Sequence, residues 1–218
     1  MRILFLYGND TALGLADWIQ QQGNDVFRVN GRLSEKVIDG LGSFELTVSY
    51  TYRHIISEKV IARLNGNVVN LHISYLPWNR GASPNQWSWI NDTPKGVSIH
   101  YVVKKIDAGD IITQKMVHLS PDDTFAGTYK KLNDEIMDLF KEVFRYYSFW
   151  EEMRKNPLGK GSFHKVADFA PYERFLSGYD MTIKDFLDGC RLVCQADEEI
   201  GGGLEAIKRF PDNYNGGG

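Results

Sequence analysis

The sequence predicts an α/β fold, an open and mostly parallel Rossmann-like sheet with a small C-terminal appendage. Three observations predict it. Ile3-Leu4-Phe5-Leu6-Tyr7 is a continuous apolar run, the pattern of a central strand buried on both faces. Short strand-like runs then alternate with helical stretches as far as His72. Hydrophobic residues make up 43% of the 218-residue chain, enough to bury a substantial core and to argue against disorder.

The elements follow in order. Gly8-Asn9-Asp10-Thr11 turns the chain out of the first strand, and a helix carries Leu13, Ala16, Trp18 and Ile19 on one side before Gly23 ends it. Val26-Phe27 and Leu46 to Tyr50 read as strands. Ser57 caps a helix containing Val60, Ile61 and Leu64, which Asn65-Gly66 stops. Val68-Val69-Asn70-Leu71-His72 is the next strand. Ser83-Pro84 reads as cap and first turn of another helix. Ser98 to Val103 and Ile111 to Met116 alternate like strands, joined by a turn at Asp107-Ala108-Gly109-Asp110. Phe125, Tyr129, Leu132, Ile136, Leu139, Val143 and Phe144 keep helical spacing until Asn156-Pro157-Leu158-Gly159. The expected organisation is a main domain over 1–150, a small segment over 159–200 and a flexible Gly-rich tail over 201–218. Within the small segment, Phe163, Val166 and Phe169 suggest an extended piece, and Thr182 to Cys194 a last helix.

Charge and composition exclude several function classes. The net charge of -3 argues against nucleic acid as the main partner, because phosphate binding needs a concentrated basic face. No stretch approaches the ~20 apolar residues that cross a bilayer. Ile3 to Tyr7 is too short for the core of a signal peptide, so a cytoplasmic location is expected, with no membrane partner. Cys190 and Cys194, four apart on one helix face, read as packing residues in a reducing compartment. No metal is implied, since no HExxH-type pair or Cys cluster is present.

The stretch from Val68 to Ile112 carries the chemistry. Asn70 and His72 lie two apart at a strand end, so they point to the same side of the sheet. The carboxyl end of a strand in such a sheet is where ligands bind. Asp107 follows in a turn. An amide, an imidazole and a carboxylate suit acyl transfer to an amine. Asn70 offers an N–H donor to the negative oxygen of a tetrahedral intermediate. His72 can donate there or move a proton near neutral pH. Asp107 can orient His72 or an intervening water. Taken alone, an Asn-x-His at a strand end is structural more often than catalytic, and an Asp-x-Gly turn is almost always only a turn.

Asn70-Leu71-His72-Ile73-Ser74-Tyr75-Leu76-Pro77, then Gly81, Thr93 to His100 and Ile106 to Ile112, resemble the folate-dependent formyltransferase family. The resemblance covers roughly residues 1 to 145. It implies a formyltransferase catalytic domain using N10-formyltetrahydrofolate, with Asn70, His72 and Asp107 as the catalytic trio. Leu76 to Gly81 with Pro84-Asn85 is similar to the sugar N-formyltransferase branch, nearest the pseudaminic-acid-type enzymes. The implied acceptor is a nucleotide-linked amino sugar, a UDP-4-amino-4,6-dideoxy sugar. Ile73 departs from the Pro that purine-pathway and peptide-synthetase relatives carry beside the His.

By the same resemblance, Ser49 to Ile56 is the segment whose backbone grips the pteridine. His54, Ile55 and Ile56 are the expected donor-site residues, with Lys104 to Asp107 opposite. An ordinary loop with core Ile residues is the alternative there. Trp78, Asn79, Arg80 and Asn85 are the candidates for acceptor binding, Trp78 for the base and Arg80 for phosphate. The helix start at Ser83-Pro84 could aim free amides at an anion, and Gly8 to Thr11 is a weaker second phosphate loop. Trp87 and Trp89 are expected to split between core and surface. His100 and His118 are expected to be structural residues in strands, and His164 a rim residue. A homodimer through the C-terminal helices is also expected. The competing readings are another amine acceptor, a formyl-folate hydrolase, and a silent binding module.

Overall fold

The computed structural model describes residues 1–200; the expected tail over 201–218 lies outside the described residues. Six strands form one sheet: β1 (Arg2–Tyr7), β2 (Asp25–Val29), β3 (Leu46–Tyr50), β4 (Val68–His72), β6 (Gly96–Tyr101) and β7 (Ile111–Met116). Their order is β2-β1-β3-β4-β6-β7. The first four run parallel, and β6 and β7 are antiparallel additions at the β4 edge. The order reverses between β1 and β3, the place where a doubly wound sheet opens a crevice at its carboxyl ends.

Alternate residues of each strand serve two apolar layers. Ile3, Phe5, Leu46, Val48, Val69, Leu71, Val97 and Ile99 pack under α1 (Leu13–Gln21), α4 (Pro84–Ile90) and the long α5 (Phe125–Phe144). Leu4, Leu6 and Val68 pack with Ile38 of α2 (Glu35–Leu41) and Val60 of α3 (Glu58–Arg63). Asn70 and His72 continue the Val68 side of β4, beyond the end of that second layer. The parallel sheet, the β6–β7 pair and α5 agree with the sequence reading.

Several details differ. α2 was not anticipated, although Ser34 caps it by accepting the Val37 amide at 3.3 Å and Gly42 ends it. β6 begins at Gly96 and ends at Tyr101, so residues 102–110 form a loop rather than a tight turn. Ser83 precedes α4 in a left-handed conformation (φ 51°) and its side chain makes no cap bond. His118 lies after β7 and is exposed, not in a strand. Trp87 and Trp89 are both buried. The reason is the C-terminal segment, which covers α4: Trp87 stacks on His164 with ring centroids 3.9 Å apart and meets Phe169 and Tyr172 edge-on.

That segment is less extended than its sequence suggests. Only β8 (Phe163–His164) is strand, followed by a 3-10 turn at Val166–Phe169 and the short helix α7 (Ala170–Glu173); α6 (Trp150–Met153) precedes it. The last helix, α8 (Ile183–Ile200), starts where Thr182 accepts the Asp185 amide at 3.1 Å. Cys190 is buried as expected for a packing residue; the side chain of Cys194 lies outside the described residues. No helix among the described residues is long and apolar enough to cross a membrane.

Candidate active site

β8 is tied to the main domain by backbone contacts. It pairs in parallel with β5 (Arg80–Gly81), the Arg80 amide donates to the Ser162 carbonyl at 3.1 Å, and the Ala82 amide donates to the His164 carbonyl at 2.9 Å. Gly81 has φ +89°, and a Cβ there would run into the His164 carbonyl oxygen. Glycine is therefore required where β5 and β8 meet. Together with the carboxyl ends of β3 and β4, this strap encloses a cleft of about 830 Å³. That volume suits a sizeable organic ligand.

Asn70, His72 and Asp107 meet on the cleft wall, although the carboxylate is remote in sequence. Asp107 sits in the 102–110 loop with φ 47° and turns its side chain back toward β4. Its Oδ1 accepts from Asn70 Nδ2 at 3.3 Å, and its Oδ2 accepts the Gly81 amide at 2.9 Å. The same Oδ2 is 3.8 Å from His72 Nδ1, an ion pair when the ring is protonated and too long for a direct hydrogen bond. His72 Nε2 lies 3.2 Å from the Asn79 carbonyl oxygen. A carbonyl only accepts, so Nε2 carries the proton and Nδ1 of the neutral ring is a free base facing Asp107.

His100 belongs to the same cluster, beyond the structural role expected for it. The antiparallel register sets it directly opposite Asn70. Its Nδ1 donates to the Tyr101 carbonyl at 2.9 Å, which leaves Nε2 of the neutral ring to accept from Asn70 Nδ2 at 3.3 Å. Nε2 is also 3.5 Å from Asp107 Oδ1. Both Asn70 N–H bonds are thus directed within the cluster. Burial pushes the Asp107 carboxyl up, but His72, the hydrogen bond and charge of His100, and the Gly81 N–H together outweigh it. The net result is a carboxyl held well below the usual range.

The expected donor-site residues also line the cleft. His54, Ile55 and Ile56 lie on one side, and Lys104 near Asp107 on the other. Ile55, Val103 and Ile106 are exposed apolar side chains there. The backbone amides and carbonyls of residues 54–56 find no partner among the described residues.

None of the four expected acceptor contacts is among the residues lining the cleft, and two of them, Asn79 and Asn85, are buried away from solvent. Asn79 is fully buried, donating to Thr93 Oγ1 at 2.7 Å and accepting from Ser162 Oγ at 3.1 Å. Its contribution is the carbonyl that receives His72. Asn85 is buried against α5, donating to Thr128 Oγ1 at 2.9 Å. Arg80 turns its Nε to the Ser162 carbonyl at 3.3 Å. Trp78 is partly exposed but lies off the cleft. In their place the wall carries Gly81 to Pro84 and Phe163 to Val166, including His164. The expected rim position of His164 and the extended piece suggested by Phe163 and Val166 were the sequence signals for that wall.

Comparison with known proteins sharpens the assignment. The profile of the Formyl transferase family matches residues 19–144. The structure of the formyltransferase PseJ from Anoxybacillus kamchatkensis, in complex with UDP-4,6-dideoxy-4-formamido-L-AltNAc and tetrahydrofolate, is similar at 34% identity with a TM-score of 0.76, over 85% of this chain and 97% of that one. A sugar N-formyltransferase from Shewanella shares the fold at 24% identity and TM-score 0.68, over 88% of this chain and 87% of that one. The methionyl-tRNA formyltransferase of Fusobacterium nucleatum is 42% identical over 96 residues, 44% of this chain; the matched part spans only 31% of that curated relative. The family match runs from within α1 to the end of α5, and so includes the strand end and the loop that bring His72 and Asp107 together. The chain belongs to the formyl transferase family.

Proposed function

We propose that this chain transfers a formyl group from N10-formyltetrahydrofolate to the amine of a nucleotide-linked amino sugar, a UDP-4-amino-4,6-dideoxy sugar of pseudaminic-acid type. The observation that carries the reading is a single cleft with the His72–Asp107 pair between two unlike walls. One wall, with exposed Ile55, Val103 and Ile106 and the unpartnered backbone of 54–56, fits a flat heteroaromatic ring with hydrogen-bonding edges. Those residues would hold the folate, which supplies the formyl group. The other wall, from Gly81 to Pro84 and Phe163 to Val166, is left for the acceptor. The PseJ complex holds a UDP-linked formamido sugar and tetrahydrofolate in one protein, which supports a donor and an acceptor of these kinds.

The roles follow from atoms. His72 Nδ1 is the base that takes the proton leaving the amine, and Asp107 at 3.8 Å stabilises the imidazolium. The Asn79 carbonyl fixes the tautomer that makes this possible. Asn70 holds Asp107 and His100 in line. Turned from one of these two partners, an Asn70 N–H would be the donor to the developing oxyanion. The chemistry needs no metal, and we propose a cytoplasmic enzyme acting on soluble small molecules.

Mass spectrometry of a panel of nucleotide amino sugars incubated with the protein and the formyl donor tests the reading. Gain of one formyl unit on a UDP-linked 4-amino sugar is expected. Formylation of methionyl-tRNA alone, or formate released at the same rate without any amine, contradicts it.

A further inference from the structure

We infer that the strap at residues 163–166 is a nucleoside-diphosphate clamp, with Phe163 against the base and Lys165 against the phosphates. The inference rests on the acceptor side of the reading above. Phe163 and Val166 are 41% and 78% exposed on the cleft wall, an unusual solvent face for large apolar side chains beside a buried catalytic cluster. Lys165 lies between them and is exposed.

The charge of the cleft supports an anion. Among the described residues Asp107 is the sole carboxylate lining it, and that carboxylate is occupied by Gly81, Asn70 and the two histidines. Three cationic side chains line it, Arg53, Lys104 and Lys165. Lys104 is paired with Glu58 at 3.0 Å. Arg53 stands beside the 54–56 wall, its side chain against Gly8. Lys165 is therefore the cation of the opposite wall; its backbone amide donates to Asp168 Oδ2 at 2.7 Å, and its ammonium has no carboxylate at ion-pair distance among the described residues. An aromatic face beside an unpaired ammonium is the combination that recognises a base with phosphates attached.

The strap is also rigid enough to position a ligand. It is anchored by the Ala82–His164 and Arg80–Ser162 bonds and by the 3.9 Å stack of His164 on Trp87. It registers on the chemistry through Gly81, which borders His164 on one side and holds Asp107 on the other. A nucleotide seated on 163–166 would therefore bring its sugar to His72.

Calorimetric titration of the full chain with UDP, dTDP and, separately, tetrahydrofolate tests the clamp in the wild type, Phe163→Ala, Lys165→Ala and Lys165→Arg. Both alanine variants are expected to weaken UDP or dTDP binding by about tenfold or more, with Lys165→Arg close to wild type and tetrahydrofolate binding unchanged. The clamp is overturned if neither nucleotide binds the wild type, if nucleotide binding survives both alanine variants, or if tetrahydrofolate binding falls in parallel. Nucleotide binding lost in the variants without formylation of any amino sugar would sink the proposed function and keep the clamp. Formylation of an amino sugar with the same KM in all variants would do the reverse.

Discussion

Asp107 accepts the backbone N–H of Gly81 at 2.9 Å, so the carboxylate facing His72 is held by the residue that also admits the C-terminal strap. Two functions meet at one glycine. Its positive φ and missing side chain let β5 and β8 pair, and its amide fixes the Asp107 carboxylate. The strap and the catalytic cluster are therefore mechanically coupled.

Gly81→Ala tests that coupling. A Cβ meets the His164 carbonyl, and φ +89° is strained for any L side chain. Urea denaturation is expected to report a loss of about 1–3 kcal/mol. The surviving folded protein is expected to lose turnover as well, because the amide that holds Asp107 shifts. Unchanged stability and turnover would show that the strap packs independently of the site.

The acid limb of stability tests the Asp107 environment. Burial alone would raise this carboxyl; His72, His100 and the Gly81 N–H more than reverse it, so the folded pKa lies below the ordinary value of 3.8. A depressed folded pKa contributes stability that is present above the ordinary value and is lost as pH falls through it toward the folded value. The stability advantage of wild type over Asp107→Asn, followed by chemical denaturation, is expected to shrink as pH is lowered below 3.8. An advantage that grows toward acid would mean the carboxyl is not paired as described.

Tyr50→Phe probes the floor of the cleft. The Tyr50 hydroxyl donates to Asn133 Oδ1 at 2.6 Å, and both residues line the cleft from β3 and α5. Burial pushes the Tyr50 phenol up, so it stays a neutral donor at working pH. Its removal leaves the Asn133 oxygen buried without a partner, at a cost of about 1–3 kcal/mol. Thermal unfolding measures this; no change would imply that water replaces the hydroxyl.

How far the sequence could be read follows from the kind of signal each part carries. β1, β3, β4 and α5 were legible because apolar periodicity there is strong and tertiary packing agrees with it. Asn70, His72 and Asp107 were legible as a set through the family resemblance, since no periodicity joins a strand end to a loop 35 residues later. α2 was missed although Ser34 and Glu35 mark its start, because only Ile38 is buried. Two of the expected acceptor contacts were chosen because polar residues near the motif looked available. Asn79 and Asn85 instead satisfy buried partners in Thr93, Ser162 and Thr128. His100 could have been found by register, as the residue opposite Asn70, once β4 and β6 were paired. Phe163 to Val166 join the cleft through the β5–β8 pairing and the stack of His164 on Trp87, contacts between remote segments that sequence pattern cannot announce.

The proposed transfer depends on His72 as the base held between the Asn79 carbonyl and Asp107. Single-turnover formyl transfer by His72→Gln, with tetrahydrofolate binding measured on the same preparation, tests it most directly. The expected result is a rate lower by on the order of 10²–10⁴-fold with tetrahydrofolate affinity unchanged. Transfer at a rate close to that of the wild type would contradict it.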